Sequence, residues 1–130
     1  MSTNALIGRY DNDTGKIHYV YLHWDGYPDA VWPTLTRHYN TDEAVIRLLE
    51  DGSISCLDKD IENCVYYHRD KKENPIYNLT KVVTVDEFIS MNSTSSNIEY
   101  IYLFDKEDGW SCYSGTMKEI NREDLNKELV

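Results

Sequence analysis

A chain of 130 residues, 41% hydrophobic and 28% charged, has the length and apolar content of one globular domain and needs neither a metal nor disulfides to bury a core. Twenty-three acidic against 13 basic residues give a formal net charge of −10, which excludes a generally basic surface and with it direct coating of duplex nucleic acid through phosphate contacts. No apolar run approaches the ~18 residues of a membrane-spanning helix, and Met1-Ser2-Thr3-Asn4 lacks the blocks of a signal peptide, so the expectation is a cytoplasmic protein with no membrane partner.

The most unusual count is 11 tyrosines, concentrated in extended-looking segments. Ala5 to Tyr10 and Lys16 to Trp24 are rich in β-branched and aromatic residues and flank Asp11-Asn12-Asp13-Thr14-Gly15, a cluster of turn formers; this reads as a hairpin. Within the second strand Ile17, Tyr19, Tyr21 and His23 alternate with His18, Val20, Leu22 and Trp24, bulk on both faces, which predicts a central position. Asp25-Gly26-Tyr27-Pro28 breaks that strand, with Gly26 expected to supply an unusual backbone angle. A helix is predicted from about Ala30 to Tyr39, with Pro33 tolerable only in its first turn.

The next helix has Asn40 and Glu43 as a capping box, Val45, Leu48 and Leu49 as its apolar stripe and Gly52 as its stop. Cys64 to His68 and Lys81 to Val85 read as strands. Thr84 and Glu87 form a second capping box before a short helix with Val85, Phe88 and Ile89 as its apolar face, and Ser90 to Asn97 reads as a polar loop. Ile98 to Phe104 and Trp110 to Tyr113, joined by Asp105-Lys106-Glu107-Asp108-Gly109, give a second hairpin. The last helix starts near Asn121, with Leu125 and Leu129 on one face and a Glu123 to Lys127 pair on another. This order predicts a single α+β domain spanning residues 1–130, an antiparallel sheet of about five to six strands covered by short helices.

Two His-x-Asp triplets, His23-Trp24-Asp25 and His68-Arg69-Asp70, place a histidine and a carboxylate at i and i+2. If they met across the sheet, a small phosphoesterase could use His23, Asp25 and Asp70. The simpler reading of His23 is a strand end before a turn. His68-Arg69-Asp70 also resembles a protein-kinase catalytic loop, but Asn74 stands one position too close to the aspartate and the chain is about half the length that fold needs. Cys56, Cys64 and Cys112 spell neither a disulfide framework nor a zinc ribbon, no metal cluster is present, and the sequence calls for no cofactor.

Acid is uneven along the chain. Asp42, Glu43, Glu50, Asp51, Asp58, Asp60 and Glu62 stand against Arg47 and Lys59, whereas Arg69 to Lys81 is a small basic strip. An acidic run is most simply a solvated face; the sharper reading is that it imitates nucleic-acid phosphate and occupies a basic groove on a partner protein. The basic strip has its own reading: Arg69 and Lys71, beside His23, Trp24, Asp25, Tyr27 and Asp70, could hold a nucleotide, cation on phosphate and ring on base.

Ser2 to Gly8, Tyr21-Leu22-His23-Trp24-Asp25-Gly26-Tyr27-Pro28 and Arg37-His38-Tyr39 resemble a group of small uncharacterised phage and prophage proteins with an Ala-Leu-Ile-Gly opening and a His-Trp-Asp-Gly-Tyr-Pro signature. Tyr67 to Asp70 and Tyr100 to Asp105 resemble later segments of the same group, from which His68 departs. The resemblance transfers no activity; what it implies is context, since small accessory phage proteins frequently disable host defences by binding. The leading expectation is therefore a counter-defence protein that inhibits a host nucleic-acid-handling defence complex, of CRISPR or restriction type, through an acidic face. A sponge for a nucleotide immune signal and a small phosphoesterase are the alternatives, and the oligomeric state is left open.

Overall fold

Asp11 and Gly15 close the first turn, the Gly15 N–H donating to the Asp11 carbonyl at 2.8 Å and the Asp13 N–H to the Asp11 carboxylate at 3.0 Å. The strands on either side, β1 (Ala5–Asp11) and β2 (Lys16–Leu22), pair antiparallel in the register Asp11↔Lys16 to Ala5↔Leu22. The computed structural model describes residues 3–72, 79–93 and 97–127. Beyond β2 come α1 (Pro28–His38), α2 (Asp42–Glu50), β3 (Ile54–Cys56), a 3-10 turn (Ile61–Asn63), β4 (Val65–Tyr66), β5 (Lys81–Thr84) and α3 (Val85–Ser93). The chain continues through β6 (Tyr100–Asp105), β7 (Gly109–Ser114), β8 (Glu119–Ile120) and α4 (Arg122–Lys127).

Among the described residues eight strands join one open sheet in the order β4-β3-β2-β1-β6-β7-β8, with β5 pairing β2 beside that path. As its alternating bulk implied, β2 is interior: β1 lies on one edge, and β5 and β3 share the other. The α+β class stands, but the sheet is larger than expected and is mixed. β1 and β6 run parallel from Ala5↔Tyr100 to Arg9↔Phe104, and β2 meets β3 parallel at Leu22↔Ile54. Both parallel contacts follow connections that contain helices, as parallel neighbours require.

Helices α1, α2 and α4 cover one face, over Ala5, Ile7, Val20, Leu22, Tyr102, Phe104 and Cys112; α3 covers part of the other, where the Tyr19 and Phe88 rings meet edge-on at 5.2 Å. Aromatic groups reach into the first layer and still satisfy their polar ends. The Tyr66 hydroxyl donates to the Leu48 carbonyl at 2.6 Å, Trp110 Nε1 to the Tyr39 carbonyl at 2.7 Å, and Trp32 Nε1 to Asn126 Oδ1 at 2.9 Å.

Several local expectations are corrected. α1 begins at Pro28, in the favourable first position, so Pro33 lies in the second turn, where its ring forfeits the bond to the Asp29 carbonyl; buried Val31, Trp32 and Leu35 hold the helix regardless. The cap of α2 is Thr41, whose hydroxyl accepts the Ala44 N–H at 3.2 Å, and not Asn40. Cys64 to His68 shrinks to the two residues of β4. On α3, Thr84 accepts the Glu87 N–H at 3.1 Å as its box requires, but Ile89 is exposed, and the helix extends into the segment expected to be loop. Leu129 and the side chain of Lys127 lie outside the described residues, as do 73–78 of the basic strip.

Candidate functional site

The His23 to Pro28 segment is held from below by backbone. The N–H groups of His23 and Trp24 donate to the carbonyls of Ile54 and Ser55 at 3.0 and 3.1 Å, extending the contact with β3 past the end of β2. The chain then turns at Asp25, which carries the left-handed angle, φ 54°, expected of Gly26. Gly26 serves a different need: its N–H donates to the Thr3 carbonyl at 2.9 Å, its carbonyl accepts the buried Tyr102 hydroxyl at 2.8 Å, and a Cβ there would lie 2.7 Å from the Thr3 oxygen and 2.8 Å from Ala5 Cβ. This anchoring leaves Trp24 44% and Tyr27 40% exposed.

His23 sits half-buried among rings. The Tyr21 hydroxyl lies 2.9 Å from its Nδ1, Trp24 packs edge-on at 4.6 Å, and Tyr67 at 6.4 Å. Lys71 Nζ lies 5.1 Å over the Tyr67 ring. His23 thus meets Tyr67, the residue just before the second triplet, while the arginine and carboxylate of that triplet are committed elsewhere. Arg69 Nε donates to both Asp70 oxygens at 3.0 Å, its terminal nitrogens reach the carbonyls of Ile61 at 3.0 Å and Cys64 at 2.6 Å, and its Cζ lies 4.6 Å over the Tyr66 ring. Asp70 also accepts the Tyr66 N–H at 2.9 Å; together with the adjacent guanidinium, which has the larger effect, this holds its carboxyl below the usual range. Arg69 and Asp70 form a clamp that shapes the residue 61–70 loop, leaving few guanidinium donors for a phosphate.

The cysteines behave as buried hydrophobes in two of three cases. Burial raises the Cys64 thiol and pushes Cys112 up to about 12, while Cys56 is exposed. Cys64 Sγ accepts the Asp58 N–H at 3.2 Å, and Tyr39 donates its hydroxyl to the Asp58 carbonyl at 2.7 Å, a latch across the residue 58–64 loop. Among the described residues no group of three or more His, Cys, Asp or Glu side chains is set to hold a metal.

The acidic run does not form one uniform face. Asp42 makes a bidentate, part-buried pair with Arg9 at 2.7 and 2.9 Å, which lowers the carboxyl and raises the guanidinium. Asp58 accepts the Asp60 N–H at 3.0 Å, and Asp51 is half-buried at the end of α2. Glu43, Glu50, Asp60 and Glu62 remain exposed. The topology adds acids that a linear scan separates. Because β1 and β6 run parallel and in register, their hairpin tips project from the same end of the sheet, bringing Asp11 and Asp13 beside Asp105, Glu107 and Asp108. The pairing Lys16↔Thr84 puts the start of α3, with Asp86 and Glu87, at that end, and Arg9 ties in Asp42 and Glu43. Against them stand Arg9, already paired, and Lys16, Lys106 and Arg122, whose guanidinium donates to the Asp108 carbonyl at 2.9 Å. The sequence signal for this concentration lay in two acidic turns, each read above only as a hairpin.

No protein-family model, curated protein or solved structure matches the chain. Among the described residues no helix is long and apolar enough to cross a membrane.

Proposed function

We propose that the protein acts by binding a basic macromolecular partner through its acid-rich sheet end, as an inhibitor of a nucleic-acid-handling complex. The observation that carries the reading is the convergence of carboxylates from the β1–β2 tip, the β6–β7 tip and the first turns of α2 and α3 on one end of the sheet. Carboxylates on several rigid elements present a spaced negative field of the kind a phosphate backbone presents, and a field of one sign steers docking onto a groove of the other. The exposed acids Glu50, Asp60 and Glu62 extend the negative surface beyond that end. The phage-type resemblance supplies the class of partner, a host defence complex that handles nucleic acid. A nucleotide sponge would have to rely on Trp24, Tyr27 and Lys71, since Arg69 is occupied, and a phosphoesterase would have to free Asp70 from its clamp.

The test is affinity capture from a bacterial lysate with the wild-type chain and with the Asp13→Lys, Glu107→Lys, Asp108→Lys variant. A nucleic-acid-handling complex retained by the wild type, released by added duplex DNA and absent from the variant supports the proposal. Capture that is indifferent to both DNA and the substitutions overturns it.

A further inference from the structure

At the other end of the strands, where β6 begins, an open cleft of about 450 Å³ lies between the start of α1 and the start of α4. Tyr27 and Tyr100 line it together with Asp29 and Asp124, and Ile120 and Leu125 supply apolar surface. The walls are fixed: Trp32 Nε1 on α1 donates to Asn126 on α4 at 2.9 Å, so the two helices that carry the carboxylates hold a set spacing. Neither carboxylate is hydrogen-bonded or ion-paired among the described side chains. Asp29 stands in the first turn of α1.

The lining side chains select for one chemistry, and two full carboxylate charges outweigh the partial positive ends of the two helices. Two unpaired carboxylates repel an anion and attract a cation, tyrosine ring faces carry the negative part of the aromatic quadrupole, and an apolar floor takes a hydrocarbon stem. We infer that this cleft binds a cationic nitrogen carried on an alkyl chain, an alkylammonium or guanidinium group. Such a group comes from a free polyamine or from a lysine or arginine side chain of a polypeptide, and both fit the same walls. None of its lining residues belongs to the acid-rich tips, toward which only the Arg122 side chain at the start of α4 reaches, through the Asp108 carbonyl.

The experiment is a titration of the ¹⁵N-labelled chain at low salt with spermidine, with N-acetyl-arginine methylamide, with N-acetyl-lysine methylamide and with the neutral N-acetyl-citrulline methylamide. Saturable amide shifts centred on Tyr27, Asp29, Tyr100 and Asp124 are expected for the cationic probes and not for citrulline. The Asp29→Asn, Asp124→Asn double variant should bind at least about tenfold more weakly with an unchanged melting temperature. Tyr27→Leu, which keeps every charge, should lose several-fold through the missing ring. Should the double variant fold poorly, Asp124→Asn alone, at an exposed position, carries the same test with a smaller loss. The Asp13, Glu107, Asp108 lysine variant should keep its affinity, which separates this site from diffuse attraction to a net charge of −10. Saturation by spermidine below the concentrations that the capped amino acids need assigns the free polyamine, and the reverse order assigns the side chain. No saturable shift up to about 10 mM probe, an equal response to citrulline, or undiminished affinity in the double variant overturns the inference.

Discussion

Gly26 shows how a residue type can be read from sequence while its reason is missed. A glycine after an aspartate in a turn suggests a positive φ, yet Asp25 takes that angle and Gly26 is needed because Thr3 and Ala5 crowd the space a side chain would fill. Gly26→Val is therefore expected to lower stability by about 2–4 kcal/mol, through displacement of the backbone that Tyr102 and Thr3 bond to, and a chemical denaturation curve measures it. Tyr102→Phe, which removes only the hydroxyl at 2.8 Å from the Gly26 carbonyl, should cost about 1–2 kcal/mol in the same assay. A second residue-scale effect concerns pH. Arg9 holds the Asp42 carboxyl below its ordinary range, so the stability from this pair is fully present above the unfolded value of about 4 and is lost as pH falls through the lower folded value. Arg9→Met should lower the melting temperature at pH 7, by the equivalent of about 1–2 kcal/mol for a part-buried bidentate pair, and by much less at pH 2, which thermal melts at the two pH values distinguish.

The elements best read in advance are those that carry a full period of apolar residues. Val45, Leu48 and Leu49 turn inward as their spacing demands, and the two hairpins form where turn residues separate aromatic runs. Strands of two or three residues have no period to read, so β3 and β8 pass unnoticed and β4 is overdrawn. The α2 cap was misplaced by one residue because Asn40 and Thr41 are both competent caps; the backbone decides between them by placing Thr41 in an extended conformation with its hydroxyl on Ala44. Thr41→Ala should cost about 1 kcal/mol and Asn40→Ala, which disturbs no such bond, less than about 0.5 kcal/mol. Equal losses in the two variants, measured by thermal unfolding, would return the cap to Asn40.

At the scale of the molecule, the partly legible candidate site has a topological cause. The run from Asp42 to Glu62 is contiguous in sequence, but folding spends Asp42 on Arg9 and partly buries Asp58 and Asp51, whereas the parallel pairing of β1 with β6 joins two acidic turns more than 90 residues apart. Parallel pairing leaves no local signature, since the paired strands lie far apart in sequence with a long crossover between them. The side chains of Asp13, Glu107 and Asp108 at these tips are exposed, and no cap or core contact depends on them, so their conversion to lysine should change stability by no more than about 0.5 kcal/mol each. It should act on encounter instead. With the partner captured as above, association of the triple variant should be at least about tenfold slower at low ionic strength, and the gap should close as salt approaches about 0.5 M, while the dissociation rate changes little, because peripheral charges steer approach more than they hold the complex. Stopped-flow measurement across a salt series reads both rates. An unaltered association rate at low salt in a folded variant would show that the acid-rich end is a solvated surface with no part in docking.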